Sequence, residues 1–250
     1  MTDSRLKKEA EFHNKAFTGN TRAAAGKFYA ITARSKGFYA DLIKQDCLDK
    51  NILEYGCGPG SQAFNLAANG GNLYGIDIAD AAIDLAKKEA IERGVADKTN
   101  FQVMNAEELT FEDDFFDLIC GSGILHHLDL ELGLKEITRV LKKDGEAIFF
   151  EPLGHNLLIN LYRRLTPQMR TEDEHPLLMN DLTSIGTYFK NVQIRYFHLT
   201  TLFTVPFRKL PGFGPILKRL EALDDLLFKI PLLKKQAWIL VLHLSRPNKG

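Results

Sequence analysis

Two histidines, His126 and His127, stand just beyond an apolar run that ends near Cys120. A histidine at the end of a strand can take a proton from a reacting group near neutral pH. His155 and His175 follow in a stretch that also holds Arg163, Arg164, Arg170 and Glu174. Far upstream, Glu54 opens a run of alternating glycines, Gly56, Gly58 and Gly60, and a second acid, Asp77, follows them. Glycines at that spacing let the backbone turn sharply and approach a ligand where a Cβ would collide. They also aim unpaired N–H groups at the start of a helix, which suits a carboxylate or a phosphate. An acid closing the next strand accepts hydrogen bonds from ribose hydroxyls. The chemistry on offer is nucleotide-cofactor binding, with a histidine nearby for proton transfer.

Positioning these groups takes alternating strands and helices. The apolar pair Ile52-Leu53 enters Glu54, a helix runs from Ser61 to a stop at Asn69-Gly70-Gly71, and a second strand runs from Leu73 to Ile78. Asp80 is expected to cap a helix through Arg93 with Ile83, Ala86, Ala90 and Ile91 on its inner side. Asn100 to Met104 alternates as a strand, and Phe115 to Cys120 has the continuous apolar character of a central parallel strand. Ligands in open α/β sheets bind beyond the carboxyl ends of the strands. That puts Ser122 beside the ligand and the two histidines at the mouth of a second site. A helix over Asp129 to Lys143 leads to a strand over Glu146 to Phe150, stopped at Glu151-Pro152. Further strands are expected at Val192 to Thr200 and Ala237 to Leu244. The repeating order of strand and helix predicts an α/β fold with a mainly parallel sheet.

A dinucleotide fingerprint requires glycines at its first, third and sixth positions. Here Ser61 takes the sixth place and the third glycine comes early, at Gly60. The segment Glu54-Tyr55-Gly56-Cys57-Gly58-Pro59-Gly60, with Asp77, Asn105-Ala106-Glu107 and the run from Phe115 to Leu128, resembles the class I S-adenosylmethionine-dependent methyltransferases of the small-molecule branch. The likeness runs from about Asn51 to Glu151. It implies a Rossmann-like, mainly parallel seven-stranded sheet flanked by helices. Residues 1–48 would form an N-terminal helical lid and 49–152 the cofactor-binding core. Residues 153–250 would carry substrate-side insertions and the last two strands of the same domain, with a helical insertion before the last strand.

The resemblance also implies the cofactor, S-adenosylmethionine. Its contacts would come from Tyr29, Glu54, Gly56, Cys57, Gly58, Gly60, Asp77, Ile78, Asn105, Ala106, Glu107 and Ser122, with Arg34 alongside Tyr29 in the lid. The family usually has an acid where Asn105 stands, to bind the adenine amine. The amide carbonyl still accepts from that amine, and the Ala106 N–H is able to donate to the ring. Cys57 reads as a small filler of the turn rather than a nucleophile. The implied reaction moves the methyl group to a small-molecule acceptor, with oxygen as the first choice of atom. His126 is the first candidate base, followed by His155 and His175. The alternatives are a C-methyltransferase on a lipid-like or polyprenyl acceptor and a non-catalytic cofactor-binding partner. No Asn/Asp-Pro-Pro-aromatic motif of the amino-methylating DNA and protein-glutamine enzymes occurs.

The chain has 250 residues, zero formal net charge, 45% hydrophobic and 26% charged residues. Those values suit one α/β domain with additions, or a domain and a half, and they argue against nucleic acid as a partner. The three cysteines, Cys47, Cys57 and Cys120, lack zinc spacing and read as reduced thiols of a cytoplasmic protein. No metal is expected, since His155, Glu174 and His175 lack ligand spacing on one helix. The charged N-terminus has no apolar core, and no run reaches the ~20 apolar residues of a membrane span. Between Arg208 and Lys235, Ile216, Leu217, Leu220, Leu223, Leu226, Leu227 and Ile230 form an apolar stripe amid basic residues. That stretch is a candidate for peripheral membrane contact, a lid over an apolar acceptor, a packed helix or a dimer surface.

Overall fold

A computed structural model describes residues 2–18, 27–45, 47–60, 62–167 and 175–249. Ser61, Arg170 and Glu174, and most of the turn expected at Thr18-Gly19-Asn20, lie outside the described residues. The helices are α1 Thr2–Thr18, α2 Ala33–Lys44, α3 Ala63–Ala68, α4 Asp80–Glu92, α5 Leu130–Val140, α6 Leu157–Leu165, α7 Met179–Tyr188, α8 Phe213–Leu227 and α9 Pro231–Lys234. The strands are β1 Asn51–Tyr55, β2 Asn72–Asp77, β3 Thr99–Val103, β4 Phe116–Ser122, β5 Leu141–Pro152, β6 Phe189–Phe197 and β7 Ile239–Pro247.

They form one seven-stranded sheet in the order β3-β2-β1-β4-β5-β7-β6. The first five pair in parallel, and β7 runs antiparallel between β5 and β6. Side chains alternate across a strand, and the core divides accordingly. Leu53 and Tyr55 of β1 join Leu134 and Ile137 of α5 and Ile185 of α7 on one face. Ile52 joins Ile43 of α2, Leu66 of α3 and Ile83 of α4 on the other. Burial on both faces is the reason these strands read as apolar runs.

Local readings shift where tertiary contacts decide. Strand β5 starts at Leu141 rather than Glu146, because Leu141 pairs with Phe116 across an irregular register. Asp80 is the first residue of α4 rather than its cap; Ala79 holds that place, and its N–H donates to the Asp77 carboxylate at 2.9 Å. Ile91 is exposed, so the inner face of α4 is the small-residue stripe Ala82, Ala86 and Ala90 with Ile83.

Arg34 is also drawn elsewhere. Its guanidinium binds Asp225 and donates to the Glu221 carbonyl, fastening α2 to α8. Beside it, His198 holds the left-handed backbone at φ 64° and is buried. Its Nε2 lies 2.8 Å from the Ser35 hydroxyl, and its Nδ1 lies 3.3 Å from the Thr201 hydroxyl. Burial pulls this imidazole down to about 4 against the upward pull of Asp224, so it is neutral at pH 7. Asp224 accepts from the Leu199 and Thr200 N–H groups at 3.0 and 2.7 Å. These bonds tie the end of β6, the 3₁₀ turn Thr201–Phe207 and α8 to α2.

Candidate active site

The carboxyl ends of β1, β2, β3 and β4 converge on the glycine turn. Gly56, Gly58 and Gly60 hold φ values of 70°, 53° and 88°, which glycine adopts without the cost an L side chain incurs. Space is short as well. A Cβ on Gly56 would lie 2.8 Å from the Ile124 side chain, and one on Gly60 would lie 2.4 Å from the Phe64 ring. The Cys57 N–H donates to the Ile76 carbonyl at 2.8 Å, and the Gly60 N–H to the Cys57 carbonyl at 2.9 Å. Cys57 itself is buried and its thiol is pushed up by that burial, which suits a filler.

Asp77 fastens the turn to β2. One carboxylate oxygen accepts from the Gly58 N–H at 2.8 Å and the other from the Ala79 N–H at 2.9 Å. A carboxylate offers about four lone-pair sites, so two remain for a ligand diol. Ile78, partly buried, follows directly, and exposed Ser122 closes β4. Glu54 has a different duty. It shares the Ile52 face of β1, and its two oxygens accept from the Gln62 and Ala63 N–H groups at 3.0 and 2.8 Å. It anchors the entry to α3.

At the end of β3, the Asn105 side-chain carbonyl accepts from the Glu107 N–H at 3.0 Å. The Ala106 carbonyl accepts from the Tyr55 hydroxyl. Glu107 is buried; it pairs with Arg5 of α1 and accepts from the Asp129 N–H at 2.7 Å. Arg5 also donates to the His127 carbonyl at 2.8 Å. Glu107 and Arg5 therefore hold α1 against the loop after β4. Tyr29 is half exposed, with the Lys36 ammonium 4.3 Å from its ring centre.

The three candidate bases part company. His126 is buried, and its Nδ1 lies 2.7 Å from a carboxylate oxygen of Glu151, which has no exposed surface. The other Glu151 oxygen accepts from the Ile124 and Leu125 N–H groups at 2.8 and 2.9 Å. A carboxylate so held fixes the ring and favours the proton on Nδ1, leaving Nε2 as the basic nitrogen. His155 is used structurally, since its Nε2 accepts from the Met179 N–H at 3.1 Å at the start of α7. His175 is exposed; its backbone N–H reaches the His126 carbonyl at 3.4 Å. Glu151 was missed by sequence reasoning, although it closes β5, the parallel neighbour of β4.

Residues 53–149 match the family described as methyltransferase domain. Within the part that matches, the chain is 32% identical over 115 residues to a ubiquinone biosynthesis O-methyltransferase of Colwellia psychrerythraea, covering 46% of each chain. It is 35% identical over 104 residues to the ubiquinone/menaquinone biosynthesis C-methyltransferase UbiE of Geotalea daltonii, covering 40% of this chain and 44% of that one. The chain thus spans under half the length of these curated relatives. The likeness of fold extends further than the likeness of sequence. A solved geranyl diphosphate C-methyltransferase from Streptomyces coelicolor superposes with a TM-score of 0.65 over 97% of this chain and 98% of that one, at 12% identity.

Proposed function

We propose that this chain is an S-adenosylmethionine-dependent methyltransferase acting on a small-molecule acceptor, with oxygen favoured over carbon as the acceptor atom. The observation that carries the reading is the cradle in which Gly56, Gly58 and Gly60 all hold positive φ and Asp77 is bonded to the Gly58 N–H. A Cβ would fill the space at Gly56 and Gly60, and the half-buried Asp77 carboxylate has acceptor capacity for ribose hydroxyls. Ile78, Asn105 and Ala106 would flank the base, and Ser122 the open end. When bound, the cofactor supplies an electrophilic methyl on a sulfonium. The chain's own work is to align the acceptor, exclude water and take its proton. The His126–Glu151 pair supports the choice of oxygen, because a hydroxyl gains more from a fixed base than an activated carbon does. One relative is named an O-methyltransferase and another a C-methyltransferase, and the chain matches both over similar lengths. Three buried free thiols and zero net charge fit a cytoplasmic protein whose partner is not nucleic acid.

The test is calorimetric titration with S-adenosylhomocysteine. The chain should bind it, and Asp77→Ala should weaken binding by on the order of 1–3 kcal/mol through loss of charged hydrogen bonds. Absence of binding to the parent chain would sink the reading.

We infer further that the acceptor side meets a lipid surface. No described helix is long and apolar enough to cross a membrane. Yet Leu157, Leu158, Leu161 and Leu165 of α6 are exposed, and only Ile159 of that helix is buried. On α8, Leu217 packs inward while Ile216, Leu223 and Leu226 stay exposed, so the apolar stripe expected from the sequence is split. Both helices pack on one small cluster through Ile159 and Leu217. Arg163 and Arg164 lie on α6, Lys218 and Arg219 on α8, and Arg208 and Lys209 just ahead of α8. Exposed apolar side chains with cations on the same segments suit anionic lipid. The chain should co-sediment with vesicles containing phosphatidylserine and not with neutral phosphatidylcholine vesicles. Leu161→Glu with Leu165→Glu should release it; equal recovery of parent and variant would reject the contact.

A further inference from the structure

Helix α1 presents Arg5, Glu9 and His13 one turn apart, and all three reach the loop after β4, His13 through its ring contact with His127. Arg5 is occupied by Glu107 and the His127 carbonyl. One turn on, a Glu9 carboxylate oxygen lies 3.4 Å from His13 Nε2 and 3.5 Å from His127 Nδ1. The three atoms lie within 4.8 Å of one another. Glu9 is 4% exposed, and the histidine side chains are 18% and 13% exposed.

Those separations are longer than good N–H···O bonds, which cluster at about 2.7–3.2 Å. They match the edge of a tetrahedron instead. Nitrogen and oxygen ligands about 2.0–2.1 Å from a zinc ion stand roughly 3.3–3.4 Å apart. An octahedral ion at about 2.1 Å would bring neighbouring ligands to roughly 3.0 Å. The chemistry of the set agrees, since two imidazoles and one carboxylate suit a borderline-soft divalent cation. Two ligands spaced i, i+4 on a helix share one face, the arrangement helical zinc sites use. The imidazole rings of His13 and His127 meet edge to face with centroids 5.1 Å apart, so a modest ring rotation closes the third edge.

We propose that Glu9, His13 and His127 bind one zinc-type divalent cation, with the fourth tetrahedral position taken by water. The ion would pin α1 to the loop that carries His126, beside the Arg5–Glu107 pair that already joins them. Neither His155 nor His175 takes part. The binding of the ion does not depend on the methyltransferase reading, and it is measured without cofactor or acceptor.

The full chain, stripped with a chelator and dialysed against zinc chloride, should retain one zinc per chain by elemental analysis. Cobalt loaded in its place should give the intense visible absorption of a tetrahedral ion. His13→Gln and Glu9→Gln should each lower zinc affinity at least tenfold, while His243→Gln, on a distant strand, should not change it. Zinc should raise the thermal midpoint of the parent chain and leave that of His13→Gln unmoved, a comparison valid even for a variant that folds less stably. No retained zinc, or retention unchanged in both ligand variants, would overturn the proposal. Weak octahedral cobalt absorption would overturn the three-ligand tetrahedral site.

Discussion

Gly58→Val is expected to abolish binding of S-adenosylhomocysteine while leaving a folded protein. The φ of 53° at this position is a left-handed conformation in which a β-branched residue is strained by about 1–2 kcal/mol. A domain with roughly 5–15 kcal/mol of stability tolerates that loss. Binding does not tolerate it, for two reasons. The Gly58 N–H is the link from the turn to the Asp77 carboxylate, so any relaxation of the valine backbone moves the acid that would hold the ribose. A side chain at this position would also obstruct a turn that is expected to approach its ligand through bare backbone. Calorimetry should show affinity lower by at least about 100-fold, or some 2.7 kcal/mol. Circular dichroism should remain that of the parent. Normal binding by a folded Gly58→Val would put the cofactor somewhere other than this turn.

His126→Ala should lower kcat on a hydroxyl acceptor by about 10²- to 10⁴-fold, the usual contribution of a positioned general base. Affinity for S-adenosylhomocysteine should stay near that of the parent, because the ring is held by Glu151 rather than by the glycine turn. Glu151→Gln should lose part of the rate, since an amide cannot stabilise the imidazolium formed during proton transfer. It should also loosen the Ile124 and Leu125 N–H groups that the same carboxylate gathers. If His126→Ala retains the parent kcat, the acceptor needs no base from this ring, and an activated carbon becomes the better assignment.

The parts legible in the sequence were those written in local periodicity. The run Ile52 to Tyr55, the glycines and Asp77 are contiguous, and their spacing alone specifies strand, turn, helix and strand. The duty of Glu54 was not legible, because a strand acid ahead of such a turn looks the same whether it meets a ligand or two backbone N–H groups. The His126–Glu151 contact joins residues 25 positions apart. Parallel pairing of β4 with β5 is what makes them neighbours, and that pairing carries no local signature. Helix α6 illustrates a different limit. Its amphipathic pattern is clear, but periodicity gives a direction only relative to the helix itself, and here the leucines point outward. Glu9 and His13 were spaced one turn apart from the start; their partner, His127, lies more than a hundred residues later.

The place of β7 in the sheet constrains how the chain is made. Strand β6 ends at Phe197, and its neighbour in the sheet, β7, does not begin until Ile239. On a ribosome adding about 5–20 residues per second, the wait for that neighbour is roughly 2–8 seconds. The glycine turn and its five parallel strands are already outside by then and have the partners they need. A nascent chain is therefore expected to acquire its cradle first. During that interval the free edges of β5 and β6 are open to chaperones or to a neighbouring nascent chain, and arrival of β7 closes both at once.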